Sequence, residues 1–178
     1  DELWSVDIRK EAGGYLSGLF SEKASARVSG GLTVAYDKVY LGTENGEVIS
    51  LDATNGSIVW RKPVKGEVIA PPAAGEGLIV VNTGAGYLVA LHPDNGEMRW
   101  EYEQEVPSLT LRGISTPLVD NGGVIFGSAN GKLNVVIADS GIEAWKQSVA
   151  TAVGASELER LVDVDSQPVV LGDSIYSL

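Results

Sequence analysis

Short hydrophobic runs separated by turn-forming residues recur along most of the chain. Between residues 39 and 62, three such runs are divided by the pairs Asn45-Gly46 and Asn55-Gly56. This pattern predicts strands joined as hairpins, because Asn-Gly readily adopts the positive φ angles of two-residue turns. The run Tyr87–Leu91 is hydrophobic at every position, which is typical of a strand covered on both faces. We therefore expect an all-β chain.

A spacing of glycine and tryptophan repeats three times. In each copy, two glycines lie ten residues apart and a tryptophan follows four residues later. The copies are Gly46, Gly56 and Trp60; Gly86, Gly96 and Trp100; and Gly131, Gly141 and Trp145. They recur after 40 and then 45 residues, which is within the range of structural repeats.

A further short strand is predicted before each copy. These strands lie at Leu32–Ala35, Pro72–Ala74 and Pro117–Val119, with another at Pro168–Leu171. Four antiparallel strands in each repeat of 40–45 residues predict the blades of a β-propeller.

The predicted domain organisation is a single β-propeller over residues 1–178, present as a partial ring. Whole blades are expected at 32–62, 70–102 and 116–148, with the outer strand of one blade at 3–8 and the first strands of another at 168–178. We interpret the chain as a fragment of a larger ring. The strand at Trp4 is also a candidate to complete the partial blade at Pro168–Leu178, in the same chain or in another copy.

The connections from one blade to the next fall on a single rim and differ in length. They run from Trp60 to Pro72 (12 residues), Trp100 to Pro117 (17), Trp145 to Pro168 (23) and Trp4 to Leu32 (28). Long loops on a rigid scaffold commonly carry binding residues, so we expect the functional surface on this rim.

Two of these loops carry the candidate binding residues. Leu109 and Leu111 lie two residues apart beside Arg112, and Asp163 and Asp165 have the same spacing in the next long loop. In extended chain, residues two apart point the same way. One interpretation is a patch that contacts a partner. The other is internal: the leucines pack beneath the loop, and the arginine pairs with an aspartate to hold the two loops together.

Charge and composition exclude several function classes. The 178 residues include 13 Lys and Arg against 24 Asp and Glu, a formal net charge of -11. This balance disfavours nucleic acids and anionic membrane surfaces as partners. No hydrophobic run approaches the roughly 20 residues of a membrane-spanning helix.

The scarcity of reactive side chains argues against catalysis and metal binding. The chain has no cysteine and one histidine, so disulfides, thiolate ligands and sites with several histidines are excluded. The histidine, His92, occupies the place of Asp52 in the first repeat, which predicts a turn residue. We expect no catalytic residues, no metal and no cofactor.

Two loop motifs make the chain resemble a known family. The segments PSLTLRGISTP and ASELERLVDVDSQPVV, together with the blade repeats, are similar to the BamB family of the outer-membrane β-barrel assembly (BAM) machinery of Gram-negative bacteria. The resemblance implies an eight-bladed ring and a non-enzymatic scaffold lipoprotein. It also implies a place on the periplasmic face of the outer membrane, held by an N-terminal lipid anchor that has no counterpart in these residues.

The resemblance also implies a partner. BamB proteins bind the POTRA domains of BamA and contact other BAM subunits indirectly, and contact with nascent outer-membrane proteins is a further expectation. Carried over to matching positions, the BamA-binding residues are Leu109, Leu111, Arg112, Asp163 and Asp165.

Two other functions remain as alternatives. Quinoprotein dehydrogenases that bind pyrroloquinoline quinone share the blade repeat, but they carry adjacent cysteines and a calcium site. This chain has no cysteine, and Asp163 and Asp165 lack further closely spaced oxygen ligands. The second alternative is a chaperone-like holder of unfolded outer-membrane proteins, which should tolerate loss of the loop residues.

Overall fold

All regular secondary structure in the described part of the chain is β-strand. The computed structural model describes residues 3–8, 27–105, 114–149, 164–172 and 174–177. The strands are β1 (Thr33–Ala35), β2 (Lys38–Gly42), β3 (Glu47–Asp52), β4 (Ile58–Pro63), β5 (Ala73–Gly75), β6 (Leu78–Asn82), β7 (Tyr87–Leu91), β8 (Met98–Glu103), β9 (Leu118–Asp120), β10 (Gly123–Gly127), β11 (Lys132–Ile137), β12 (Glu143–Ser148), β13 (Val169–Leu171) and β14 (Ser174–Tyr176).

The strands form three four-stranded antiparallel sheets and one hairpin, each in chain order. Sheet 1 contains β1–β4, sheet 2 contains β5–β8, sheet 3 contains β9–β12, and β13 pairs with β14. The prediction of an all-β fold with four-stranded antiparallel blades is confirmed. Three inner strands begin one residue after the predicted prolines, because proline has no N–H to donate to a ladder.

The two-residue turns lie at different places from those expected. Asn-Gly was predicted to supply them, but at Asn45-Gly46 and Asn55-Gly56 only the glycine has a positive φ. The tight turns join the two inner strands of each sheet instead. In the first of them, Tyr36 and Asp37 both have positive φ, at 51° and 57°. Neither residue is a glycine, so the sequence does not indicate a positive φ there. The expectation that Asn-Gly supplies the two-residue turns was therefore wrong.

A β-bulge recurs beside the tryptophan of every sheet. The register shifts after Ser50 opposite Trp60, after Ala90 opposite Trp100, and after Val135 opposite Trp145. Because a bulge re-aims the strand that carries it, the repeated sequence spacing produces a repeated side-chain direction.

Hydrophobic cores fill the spaces between neighbouring sheets. One cluster joins sheets 1 and 2 around Tyr40, Val48 and Ile79, and another joins sheets 2 and 3 around Leu88 and Phe126. Middle strands such as β6 are buried along their whole length. Sheet 2 is thus covered on both faces, as the uniformly hydrophobic run Tyr87–Leu91 predicted.

Each covered tryptophan closes onto a glycine of the following sheet. The indole of Trp60 packs against Gly96 and donates a hydrogen bond of 2.8 Å to the carbonyl oxygen of Pro93. Trp100 packs against Gly141 in the same way and donates to Ala138 O at 2.7 Å. A side chain at either glycine would collide with the ring. The repeated spacing of glycine and tryptophan in the sequence therefore reflects these contacts between neighbouring sheets.

The segment 3–8 covers the other face of sheet 1. Its side chains alternate between exposed and half-buried, and Trp4, Val6 and Ile8 pack on the cluster around Ile49. Trp4 contacts Gly56 and donates to Ala53 O at 3.0 Å, so it repeats the arrangement of the later tryptophans. Within the described residues, no strand lies beside this segment, and it therefore forms no ladder.

Candidate partner-binding rim

The antiparallel order of the strands places two kinds of loop at the same end of every sheet. These are the turns between the second and third strands and the connections that lead from one sheet to the next. We call this end the connector rim. Its described turns are 43–46, 83–86 and 128–131, and its connectors leave β4, β8 and β12.

Two connectors dock on the sheets through a buried valine over a glycine. Val68 N donates to Thr43 O at 3.0 Å, and its side chain fills the space above Gly42. Val164 N donates to Ser128 O at 3.4 Å and lies above Gly127. Because glycine has no side chain, the connector can approach the strand closely at both places.

The connector after β8 docks through polar groups instead. Asn82 occupies the place that Gly42 holds in sheet 1, and it is buried. Its Nδ2 donates to Ser115 O at 3.1 Å, while its Oδ1 accepts a hydrogen bond of 2.8 Å from Gln104 Nε2. One buried amide thus ties both ends of this connector to β6.

A hydrogen bond joins the two long connectors directly. The buried hydroxyl of Ser115 donates to Ser166 O at 2.9 Å. The first connector has an equivalent link, in which Ser29 Oγ donates to Val68 O at 3.0 Å. Since Ser115 and Ser166 lie near the downstream ends of the two loop motifs, this contact places those ends side by side.

Of the five predicted binding residues, Asp165 is described by the structure. It is exposed, and it lies between buried Val164 and the hydrogen-bonded Ser166. Leu109, Leu111, Arg112 and Asp163 lie outside the described residues. In the sequence, Arg112 and Asp163 are each three residues upstream of a linked serine.

A polar cleft of about 260 Å³ opens between the outer strands of sheets 2 and 3. Among its lining residues, Tyr102 donates to Glu143 Oε2 at 2.7 Å, and Lys132 pairs with Glu105 at 3.3 Å. Burial, helped by Glu143, raises the pKa of Tyr102 to about 12. The hydrogen bond from Tyr102 lowers the pKa of Glu143. The hydrogen bond and the ion pair each join sheet 2 to sheet 3.

Two further ion pairs join parts of the rim, one between sheets 1 and 2 and one within sheet 1. Lys65, on the first connector, reaches Glu101 at 2.6 Å and lies 4.5 Å above the ring of Tyr87. Its hydrogen bond to Glu101 raises the pKa of the Lys65 ammonium group. Arg61 pairs with Glu47 at 3.0 Å and also donates to Ile8 O, which ties the segment 3–8 to sheet 1.

The described residues contain no group of three or more His, Asp or Glu side chains placed to hold a metal ion. His92 lies in a turn, where its Nδ1 accepts a hydrogen bond from Asp94 N at 3.2 Å. Asp52 accepts from Thr54 N in the equivalent turn, so the prediction of a turn residue is confirmed. No helix in the described ranges has the length and hydropathy to cross a bilayer.

Sequence comparisons agree with the motifs on this rim. The family described as outer membrane protein assembly factor BamB matches residues 1–178. The chain belongs to the BamB family. A relative of that name from Alteromonas naphthalenivorans is 46% identical over 182 residues, which cover 100% of this chain and 43% of the relative. The chain thus spans less than half the length of this BamB relative.

A solved BamB structure shares the arrangement of sheets. The crystal structure of BamB from Moraxella catarrhalis matches with a TM-score of 0.81 at 27% identity, covering 89% of this chain and 49% of that chain. The family resemblance and the β-propeller fold predicted from the sequence are confirmed.

Quinoprotein enzymes share the fold at lower similarity. Quinohemoprotein alcohol dehydrogenase from Comamonas testosteroni matches with a TM-score of 0.59 at 22% identity, covering 68% of this chain and 21% of that chain. This likeness shows the fold alone. The family whose model matches residues 1–178 is BamB, so this likeness carries no argument for dehydrogenase activity.

The residues that hold the rim together were not predicted from the sequence. Asn82, Ser115 and Ser166 are ordinary polar residues in the sequence, and nothing in their identity distinguishes a buried donor from an exposed one. One signal was available: both serines precede a proline by two residues, in Ser-Thr-Pro and Ser-Gln-Pro. Aligning the connectors on these prolines would have placed the serines at equivalent positions.

Proposed function

We propose that this chain acts as a non-enzymatic scaffold of the BAM complex and that its connector rim binds the POTRA domains of BamA. Membership of the BamB family supports the assembly role. The observation that carries the proposed site is the 2.9 Å hydrogen bond from Ser115 Oγ to Ser166 O. It brings the two motif-bearing loops together at their downstream ends, so that residues from both can act on one partner.

The roles proposed for the five residues follow from their chemistry. Leu109 and Leu111 supply apolar contact area, and Arg112 makes charge-assisted hydrogen bonds. Asp165 is exposed while the residues on both sides of it are anchored, which suits a carboxylate held ready for a partner. Asp163 either joins it at the interface or pairs with Arg112 to fix the loops.

The proposed location is the periplasmic face of the outer membrane, where a lipid anchor on the full-length protein would hold the ring. Other BAM subunits are then reached through BamA. Contact with nascent outer-membrane proteins is not required for a scaffold, because alignment of the folding machinery depends on the BamA interface alone.

Calorimetry tests the site directly. We expect the chain to bind the purified POTRA domains of its cognate BamA and the double variant Leu109→Asp/Arg112→Glu to lose this binding, since truncating an interface anchor costs roughly 2 kcal/mol or more. The matched control is Val59→Asp/Arg99→Glu, which makes the same charge change at exposed positions on outer strands. The control should bind normally. Equal binding by both variants would contradict the proposed site.

A charge swap separates the two roles of the arginine. If Arg112 pairs with Asp163 inside the rim, Arg112→Asp combined with Asp163→Arg should recover the binding that either single variant loses. If both residues contact BamA, the double variant should bind no better than the singles. A holder of unfolded proteins would prevent aggregation of a denatured outer-membrane protein equally well with or without these substitutions.

A further inference from the structure

The sequence contains five Asn-Gly pairs. They are Asn45-Gly46, Asn55-Gly56, Asn95-Gly96, Asn121-Gly122 and Asn130-Gly131. Loss of the asparagine amide as ammonia (deamidation) is favoured at Asn-Gly, because the glycine nitrogen attacks the asparagine Cγ and glycine has no side chain to obstruct that approach. By sequence, all five pairs have the same chemistry, and the fold separates them.

Four of the five glycines are buried in turns. These are Gly46, Gly56, Gly96 and Gly131. The N–H group of each donates to a main-chain carbonyl oxygen of its own turn. Gly96, for example, donates to His92 O at 3.0 Å and lies under the ring of Trp60. The attack requires the glycine nitrogen to leave this hydrogen bond and rotate toward the side chain, and close packing opposes that rotation.

Three of the four asparagines beside the buried glycines are also held by their side chains. The Oδ1 atoms accept hydrogen bonds from Ser57 N to Asn55 at 2.8 Å, from Glu97 N to Asn95 at 3.0 Å, and from Ser128 Oγ to Asn130 at 2.7 Å. At these pairs the reaction therefore costs turn hydrogen bonds on both the attacking and the attacked residue.

The pair Asn121-Gly122 differs in exposure and in hydrogen bonding. It forms the tight turn between β9 and β10, where both residues are exposed and have positive φ, at 49° and 74°. No heavy atom of the described residues lies within 4 Å of a methyl group placed on Gly122. Gly122 N donates to Glu76 Oε1, an exposed carboxylate on the tight turn of sheet 2, at 3.2 Å. The nitrogen that must react thus lies in open space beside a base.

The amide of Asn121 has one weakly held partner. Its Nδ2 donates to Asp120 Oδ2 at 2.9 Å, and both groups are exposed. Water can replace this hydrogen bond at little cost, because each group remains solvated when the bond opens. The bond therefore does not protect Asn121 as the turn hydrogen bonds protect the buried pairs.

The openness belongs to the tight turn itself and does not arise from its place in the arc. Gly77 holds the equivalent position in sheet 2, which is covered by a sheet on each face. It is exposed as well, and a methyl group placed on it meets nothing within 4 Å among the described residues. The residue before Gly77 is Glu76, so only the turn of sheet 3 combines this openness with an asparagine.

We propose that Asn121 is the site at which this chain deamidates. Glu76 accepts the proton of the Gly122 N–H and passes it to solvent. The Gly122 nitrogen forms a bond to Cγ of Asn121 as the bond from Cγ to Nδ2 breaks. The departing nitrogen takes a proton from solvent and leaves as ammonia, and a succinimide remains. Water then adds to either carbonyl carbon of the succinimide and opens the ring, which gives aspartate or isoaspartate.

The product changes both the charge and the backbone of the turn. A carboxylate at position 121 lies next to Asp120 and close to Glu76, so three like charges repel one another around one turn. Isoaspartate also adds a methylene carbon to the main chain of a two-residue turn, which disturbs the pairing of Asp120 with Gly123. The deamidated chain should therefore unfold at a lower urea concentration than the unmodified chain.

Peptide mapping by mass spectrometry tests the assignment with all five pairs in one sample. During incubation of the folded chain at mildly alkaline pH, Asn121 should react at least about fivefold faster than each of the others, because every buried pair must first give up a turn hydrogen bond. In concentrated urea the five pairs should react at similar rates, since the turns are then lost.

A glutamate variant tests the proposed base. Glu76→Gln keeps an oxygen that can accept from Gly122 N but removes the carboxylate, so it should slow the reaction at Asn121 in the folded chain and leave the rate in urea unchanged. Glu97→Gln, at an exposed glutamate on the same end of sheet 2, is the matched control and should not slow it. A folded chain in which Asn121 reacts no faster than the other four, or in which Glu76→Gln leaves its rate unchanged, would overturn the proposal.

Discussion

At the scale of single residues, the recurring device is a large side chain seated over a glycine. Trp60 lies over Gly96, Trp100 lies over Gly141, and on the connector rim Val68 lies over Gly42. In each pair the glycine leaves space for a neighbouring sheet or connector. The contacts between neighbouring sheets and connectors thus depend on the glycines as much as on the large side chains that pack over them.

Two glycine substitutions separate backbone strain from loss of this space. Gly77 and Gly96 both have positive φ, at 70° and 67°, but a methyl group at Gly77 meets nothing within 4 Å whereas one at Gly96 collides with Trp60. Gly77→Ala should cost about 1–2 kcal/mol through backbone strain alone. Gly96→Ala should cost about 1–3 kcal/mol more through overpacking.

Urea unfolding followed by circular dichroism measures both variants. Equal losses of unfolding free energy would show that the contact with Trp60 adds nothing. The Gly77 variant serves as the control, because the two positions share their backbone conformation and differ in their surroundings.

At the scale of elements, the connectors join one another as well as the sheets. Ser29, which precedes β1, links to the connector after β4, and Ser115 links the connector after β8 to the connector after β12. The two bonds are chemically alike, each from a serine hydroxyl to a backbone carbonyl. They differ in that only the second lies beside the loop motifs.

Ser115→Ala should weaken POTRA binding, because the loop carrying Asp165 loses its link to the neighbouring loop. Loss of this hydrogen bond should also cost about 1 kcal/mol of stability. Ser29→Ala is the matched variant and should lose a similar amount of stability while binding normally. Calorimetry and urea unfolding of both proteins check this, and a parallel loss of binding in the Ser29 variant would contradict it.

The sequence predicts elements better than contacts. The glycine and tryptophan spacing identified the sheets, because each spacing reflects one repeated unit. The tight turn at Tyr36 and Asp37 was not predicted, since neither residue is a glycine that would indicate a positive φ. For the rim, the assignment of the binding residues to the two motif-bearing loops stays a prediction. The anchoring by Asn82 and Ser115 could not be predicted, because it depends on which connector lies above which strand.

At the scale of the whole molecule, the interfaces between sheets contain tyrosines whose pKa is raised because they are buried there. Tyr40 lies between sheets 1 and 2, with its ring 5.9 Å from that of Trp60, and burial raises its pKa from 10.0 to about 12. Tyr102 lies between sheets 2 and 3, where burial has the same effect on its pKa. Both interfaces therefore favour the neutral phenol.

This predicts loss of stability at alkaline pH. Since the pKa of both tyrosines is higher in the folded state, their contribution is complete below pH 10 and is lost as the pH rises through about 12. Tyrosinate absorbance should show a late phase that coincides with unfolding. Tyr102→Phe should reduce that phase. Ionisation of Tyr40 and Tyr102 near pH 10 without unfolding would contradict the prediction.

Because each tryptophan packs on the sheet that follows it in the chain, these contacts form in the order of synthesis. Trp60 packs on Gly96 and Trp100 packs on Gly141, so each indole is covered only after the ribosome has added these later residues. During synthesis, the newest sheet always presents an uncovered tryptophan at its growing end. The nascent protein therefore exposes one hydrophobic edge at a time, and this edge moves forward by one blade as each sheet is completed. The fluorescence emission of the exposed indole would follow this progress.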